Sequence, residues 1–140
     1  MSRGGQLNAR MQEKVLSRLE RRSRELGEPK SRVAERLIDE GLRMEEFPGI
    51  VFRDGPTGRR AALLGGPDVW EVIADLKQAQ RRKGVDPFKA IVRGTGLAEE
   101  QLRLAAAYYG RYSEEIDARV ERNEELHQAA EQALGKLSAA

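Results

Sequence analysis

The first hydrophobic pattern along the chain is an alternation over residues 6–11. Its apolar members are Leu7, Ala9 and Met11, and its polar members are Gln6, Asn8 and Arg10. A period of two places successive side chains on opposite faces of a β-strand. The pattern therefore predicts a strand with an apolar face for a core. Its other face carries the side chains that pair with DNA bases, because Arg binds guanine and Asn or Gln binds adenine bidentately.

Helical spacing replaces the alternation over residues 12–44. Apolar residues at Val15, Leu16, Leu19 and Leu26 predict a helix over 12–26, with arginines between them. Gly27 suits a left-handed cap, and Pro29 suits the first position of a second helix over 29–44. The apolar stripe of that helix comprises Val33, Leu37, Ile38 and Leu42. One strand and two helices bury too little surface for independent stability, so we expect a dimer.

Residues 5–44 resemble a ribbon-helix-helix DNA-binding domain of the Arc, MetJ and CopG type. The resemblance is carried by Gln6-Leu7-Asn8-Ala9-Arg10, by the turn at Gly27 and by the run from Ser31 to Leu42. It implies that two chains pair their strands into an antiparallel ribbon, which enters the major groove of double-stranded operator DNA. Gln6, Asn8 and Arg10 would then read the bases.

The same resemblance implies further contacts. The side chains or amides implied to contact DNA phosphates are those of Arg3, Lys30, Ser31 and Arg32. The residues implied to form the core of the homodimer are Leu7, Ala9, Met11, Leu16, Leu19, Val33, Leu37 and Ile38. Pro29 departs from the family, which often has a serine or threonine cap there, so only backbone contacts are expected at that position. Dimers of this type often assemble further on DNA.

Residues 45–109 predict a hairpin followed by three helices. Strands over 50–53 and 59–64 flank a turn-rich segment, and a helix opens at Pro67-Asp68 with Trp70 on its apolar stripe, expected in the core. A short helix starts at Asp86-Pro87 and is expected to break at Gly94-Thr95-Gly96, before a helix over 98–109. The last two have the layout of a helix-turn-helix. A packing role is favoured over DNA reading, because Glu99 and Glu100 would repel phosphate.

The last helix is predicted to begin at Ser113 as its N-cap. Its stripe alternates steps of four and three residues through Ile116, Val120, Asn123, His127, Ala130, Leu134 and Leu137. This heptad spacing is typical of a coiled coil. The helix is expected either to pair with its dimer mate or to lie in a partner's groove. Ile116, Val120 and Leu134 are the candidate partner-binding residues.

Residues 47–125 resemble a second family, a small bacterial domain of unassigned function that is frequent in VapB-type antitoxins. The matching stretches run from Phe47 to Arg60, from Val69 to Ile73, from Gly96 to Gln101, over Ala107-Tyr108-Tyr109, and from Glu114 to Asp117. This resemblance implies a toxin partner of the PIN-domain ribonuclease class.

Charge and composition narrow the possible functions. The net charge is +2, but residues 1–44 hold eleven Lys or Arg against seven Asp or Glu, and residues 94–140 hold five against nine. The excess of basic residues over positions 1–44 favours binding to a polyanion. There is no cysteine and one histidine, so we expect no disulfide, no metal site, no cofactor and no enzymatic activity. No apolar run approaches the ~20 residues of a membrane span, and no signal peptide is evident, so a cytoplasmic protein is expected.

The sequence thus predicts a mainly α protein with short strands. Residues 1–45 would form a ribbon-helix-helix dimerisation domain, and residues 46–140 a β-hairpin plus a helix-turn-helix-like domain ending in a long helix. The predicted function is a homodimeric DNA-binding antitoxin and transcriptional autorepressor. The alternative is a stand-alone CopG-like transcription regulator or DNA-organising protein without a toxin. A third hypothesis is a small-ligand pocket near Trp70.

Overall fold

The computed structural model describes residues 4–139, which form a mainly helical protein with one small antiparallel sheet. In chain order the elements are α1 (Glu13–Leu26), α2 (Lys30–Glu46), β1 (Ile50–Arg53), β2 (Arg60–Leu63), α3 (Val69–Gln80), α4 (Pro87–Thr95), α5 (Glu99–Arg111) and α6 (Ser113–Ser138). The chain divides into two compact units. The first ends at Arg43 and the second begins at Met44, two residues before the predicted boundary after residue 45.

Residues 4–12 carry no strand in this single chain. The physical reason is that a strand needs a neighbour to satisfy its backbone amides and carbonyls, and the two strands formed by the described residues are β1 and β2, which pair with each other. A strand over residues 6–11 would therefore form only if this segment paired with the same segment of a second copy. The ribbon-helix-helix arrangement remains a prediction.

The turn between α1 and α2 depends on Gly27. This residue has φ 65° and ψ 28°, the left-handed conformation that glycine adopts without a Cβ clash. Its amide donates to the Arg24 carbonyl at 3.3 Å, and the Glu28 amide donates to the Ser23 carbonyl at 3.2 Å. These two bonds satisfy carbonyls at the end of α1, as in a Schellman motif. The predicted helix end is thus confirmed.

The second unit builds one hydrophobic core from the hairpin, α3, α4, α5 and the start of α6. In the hairpin, Ile50 pairs with Leu63 and Arg53 with Arg60. The largest side chains that are fully buried in this unit are those of Tyr108, Ile50, Leu63, Leu102, Val69 and Val72. The core therefore lies between the sheet and the two helices α3 and α5.

An aromatic cluster fixes the junction of α5 and α6. The rings of Phe47 and Tyr108 lie edge to face at 5.4 Å, and those of Tyr108 and Tyr112 lie 4.8 Å apart between centroids. Tyr112 is the single residue between the two helices and occupies the N-cap position of α6. The prediction that Ser113 caps α6 is wrong, because Ser113 is already the first helical residue.

A buried carboxylate ties the hairpin to the start of α3. Asp68 is only 6% exposed and accepts hydrogen bonds from Arg53 Nη2 and Trp70 Nε1, both at 3.2 Å, and from Arg60 Nε. Its backbone amide donates to Glu71 Oε2 at 3.3 Å. A buried charge must be paired and hydrogen-bonded to be tolerated, and here both strands supply a guanidinium. Trp70 is half-buried against the core, with its indole N–H bonded to the carboxylate.

The first turns of α6 are held on α3 by a polar contact. Lys77 Nζ donates to Asp117 Oδ1 at 2.5 Å, and the Tyr109 hydroxyl donates to the same oxygen at 2.8 Å. The hydrogen bond with Asp117 raises the pKa of Lys77. The bonds from Lys77 and then Tyr109 lower the pKa of Asp117. Because both charged side chains are over a third exposed, the pair stabilises the fold by at most about 1 kcal/mol. That contribution is lost as pH falls through the pKa of Asp117 or rises through that of Lys77.

Helix α4 ends later than the break expected at Gly94-Thr95-Gly96. α4 continues through Gly94 and Thr95, and it ends at Gly96, whose φ is 74°. Asp86 caps the start of α4 by accepting from the amides of Phe88 and Lys89, at 3.0 and 3.3 Å. The Thr95 hydroxyl donates back to the Ile91 carbonyl and accepts from the Leu97 amide. Local side-chain bonds therefore allow the helix to continue to Thr95.

Candidate dimerisation surface and nucleic-acid interface

An open apolar groove lies in the first unit, where Met11, α1 and α2 line it. Its volume is about 430 Å³. The apolar residues that line it are Met11, Val15, Leu19, Ala34, Leu37 and Ile38. Arg18, Arg21, Arg22 and Glu25 complete its wall. The groove thus has an apolar floor and a predominantly basic rim.

The first unit leaves most of its apolar side chains in solvent. Among residues 4–43 only Val33 and Glu40 are buried, and none of the residues of α1 is. Leu7 is 75% exposed, and Leu37 and Ile38 are each 46% exposed. Contiguous exposed apolar surface of this kind marks an interaction site.

The residues predicted for the dimer core fall into three groups. Met11, Leu19, Leu37 and Ile38 are brought together around the groove. Leu7, Ala9 and Leu16 are exposed and do not line it. Val33 is 0% exposed within the single chain, so its side chain is not available to a second copy, which corrects its place in the predicted interface.

Two groove residues were absent from the predicted dimer core. Val15 and Ala34 both line the groove. The signal for Val15 is its place on the apolar stripe of α1, four residues before Leu19. Ala34 lies outside the apolar stripe predicted for α2.

The residues predicted to contact DNA are all accessible where the structure describes them. Gln6, Asn8 and Arg10 are exposed, and so are Lys30, Ser31 and Arg32 in the first turn of α2. Arg3 lies outside the described residues. The Pro29 carbonyl accepts from the amides of Arg32 and Val33 at 3.1 and 3.2 Å, so Pro29 precedes the helix by one position.

The start of α2 retains the geometry that binds anions. The first amides of a helix have no intrahelical acceptor and point out along its axis. Those of Lys30 and Ser31 occupy this position in α2. A phosphate there would accept from backbone amides and meet the basic side chains of Lys30 and Arg32.

The second half of α6 is a second exposed surface. Every residue from 121 to 139 is exposed, including Leu126, Leu134 and Leu137. Val120 is half-buried against the core. Ile116 is 4% exposed within the core, so the prediction that it binds a partner is wrong. The predicted heptad stripe includes Ile116 because the apolar residues of α6 keep the same spacing in its buried first turns and in its exposed second half.

A cleft of about 630 Å³ lies beside Trp70, where a small-ligand pocket was one hypothesis. Its polar lining is acidic or neutral and comprises Glu71, Asp75, Gln78, Thr95 and Asn123. The described residues contain no group of three or more acidic, histidine or cysteine side chains placed to hold a metal ion. Nor does any helix in the range 4–139 have the length and apolarity to cross a membrane.

Comparisons with protein families, with curated proteins and with solved structures found no match to this chain. The two family resemblances therefore rest on the residue patterns of the sequence.

The groove leads to a prediction about assembly. Replacing Leu37 or Ile38 by Glu places a charge on the apolar floor, so each variant is expected to be monomeric and to lose helix content, since the first unit cannot bury its apolar surface alone. Sedimentation equilibrium should give twice the 15.7 kDa chain mass for the unmodified protein and the single mass for each variant.

The control is Leu64→Glu, which changes an exposed leucine outside the first unit. It should remain dimeric. A dimeric mass for both groove variants would rule out this surface as the dimer interface.

Proposed function

We propose that this protein is a homodimeric, sequence-specific DNA-binding protein that represses its own operon. The observation that carries the proposal is the exposed groove formed by Met11, Val15, Leu19, Leu37 and Ile38, next to a segment whose polar side chains are base-reading types. A second copy seated on this groove would cover the apolar floor. It would also bring the two segments over residues 6–11 within reach of each other.

Pairing of these segments accounts for their alternation. In an antiparallel ribbon Leu7, Ala9 and Met11 would face the dimer core. Gln6, Asn8 and Arg10 would face outward, and a two-stranded ribbon fits the major groove of B-DNA. The amides at the start of α2 would hold the flanking phosphates and fix the register of the ribbon on the duplex.

The test replaces Gln6, Asn8 and Arg10 by Ala together. Each bidentate base contact contributes about 1–3 kcal/mol of discrimination, and a dimer carries two sets. We therefore expect the affinity for the protein's own promoter to fall at least about 100-fold while affinity for an unrelated duplex changes little. Fluorescence anisotropy with both duplexes measures this, and sedimentation equilibrium verifies that the variant is still dimeric.

A control with the same side-chain types is Arg122→Ala, Asn123→Ala and Gln128→Ala on α6. This variant should bind the promoter like the unmodified protein. Specific binding that survives the triple change at residues 6, 8 and 10 would refute the ribbon as the reader of sequence.

We further propose that the arm formed by residues 121–139 of α6 binds and neutralises a protein toxin of the PIN-domain ribonuclease class. Its support is the exposure of three leucines on an acidic helix, together with the antitoxin resemblance of residues 47–125. An amphipathic helix of this kind lays its apolar side in a partner's groove.

Co-expression with the neighbouring gene product tests the toxin proposal. Leu134→Glu with Leu137→Glu should abolish co-purification of that product, whereas Gln132→Glu, on the other side of the helix, should preserve it. If the neighbouring product does not bind, or binds the leucine variant equally well, the alternative of a stand-alone transcription regulator is favoured.

A further inference from the structure

Five basic side chains lie close together in sequence at the end of α3 and on α4. We call them the basic patch: Arg81, Arg82, Lys83, Lys89 and Arg93. All five are exposed. The one acidic residue between positions 81 and 95 is Asp86, and its carboxylate already accepts from two amides at the start of α4.

The patch differs from most of the other basic side chains of the second unit in its lack of partners. Elsewhere in that unit basic side chains are commonly neutralised: Arg53 and Arg60 pair with Asp68, Arg59 with Asp54, Lys77 with Asp117, and Arg103 with Glu99. The guanidinium of Arg119 donates to the Thr57 hydroxyl and to the carbonyls of Thr57 and Arg59. For none of the five patch residues do the described residues supply an ion-pair partner.

Part of the patch borders a shaped surface. Lys89 and Arg93 are one turn apart on α4, so they share a face of that helix. Together with Asp86, Phe88, Val92, Glu99 and Arg103 they line a cleft of about 360 Å³. The Arg103 guanidinium lies 5.5 Å from the Phe88 ring centroid and is bonded to Glu99. The unpaired charges at this cleft are therefore those contributed by α4.

The three remaining patch residues, at 81–83, lie between α3 and α4. Arg81 follows the last residue of α3, and Gly84, with φ 74°, reverses the backbone before Asp86 caps α4. A helix C-terminus favours cations, and Lys77 already supplies one in the last turn of α3. Three further unpaired cations after that turn repel one another, and a polyanion relieves this repulsion.

We propose that the basic patch contacts the phosphate backbone of duplex DNA, as a second DNA-contacting surface besides residues 6–11. The inference rests on the proposed DNA-binding function and adds a sequence-independent contact made by the second unit. It assigns this contact to α4 and the preceding loop. Glu99 lines the same cleft but is paired with Arg103 at 2.8 Å, and Glu100 at the start of α5 is not part of the contact.

The experiment measures how affinity for duplex DNA depends on salt, with the full chain, its own promoter and an unrelated duplex. The variant carries Arg81→Gln, Arg82→Gln, Lys83→Gln, Lys89→Gln and Arg93→Gln. Each lost phosphate contact reduces the slope of log K against log salt by about 0.9, so one contact per chain in a dimer lowers it by about 2 or more. Affinity should weaken alike for both duplexes.

The control removes three exposed charges elsewhere in the second unit, against five in the patch variant, with Arg111→Gln, Arg122→Gln and Lys136→Gln. Its slope should equal that of the unmodified protein, and circular dichroism should show the same helix content for all three proteins. An unchanged slope in the patch variant, or an equal decrease in the control, overturns the inference.

The same measurements separate this inference from the proposed function. If the patch variant loses slope while the variant at residues 6, 8 and 10 keeps its promoter preference, the second DNA contact stands and the ribbon proposal fails. If the patch variant keeps its slope while that preference is lost, the ribbon proposal stands alone. If the unmodified chain binds neither duplex, both fail.

Discussion

The small amount of apolar surface that the first unit buries is the constraint on which the rest of this account depends. Between residues 4 and 43 the buried side chains are those of Val33 and Glu40, although α1 and α2 both carry apolar stripes. The free energy of unfolding of so small a unit is marginal without a partner. In the proposed dimer a second copy would remove the deficit, because the same contact would cover the groove and supply the neighbour that residues 6–11 need to become a strand.

The second unit, by contrast, buries enough apolar surface to form a core of its own. Its hairpin, its helices and the first turns of α6 enclose a continuous core, and Asp68 joins both strands to the start of α3. Beyond Val120 every described residue of α6 is exposed. The unit therefore combines a self-sufficient core with two surfaces that its own fold does not use, the arm of α6 and the basic patch.

The sequence predicted the helices well, because their signals are local. Gly27 and Asp86 mark helix ends within a few residues of the groups they satisfy, and the apolar spacing of α1 and α2 is unbroken. The interactions that define the second unit join more distant residues. Asp68 and Arg53 are fifteen positions apart, and Lys77 and Asp117 are forty apart. Residue pattern alone does not reveal such pairings.

The same distinction explains the errors in the predicted sites. Ile116 belongs to the heptad stripe of α6, yet α3 and α5 cover that end of the helix, and periodicity does not distinguish a covered turn from a free one. The basic residues at 81–83 are visible in the sequence. Their lack of acidic partners is a property of the fold, since a carboxylate from any distant element would have neutralised them.

The pairing of residues 6–11 between two copies is the central claim, and amide hydrogen exchange of the full chain tests it most directly. At concentrations where the chain is dimeric, alternate amides of this segment should exchange at least about ten-fold more slowly than in an unstructured peptide, since a two-stranded ribbon bonds every second residue to its partner. The protection should disappear on dilution to the monomer. Exchange at the unstructured rate throughout residues 6–11 in a dimeric sample would contradict the account.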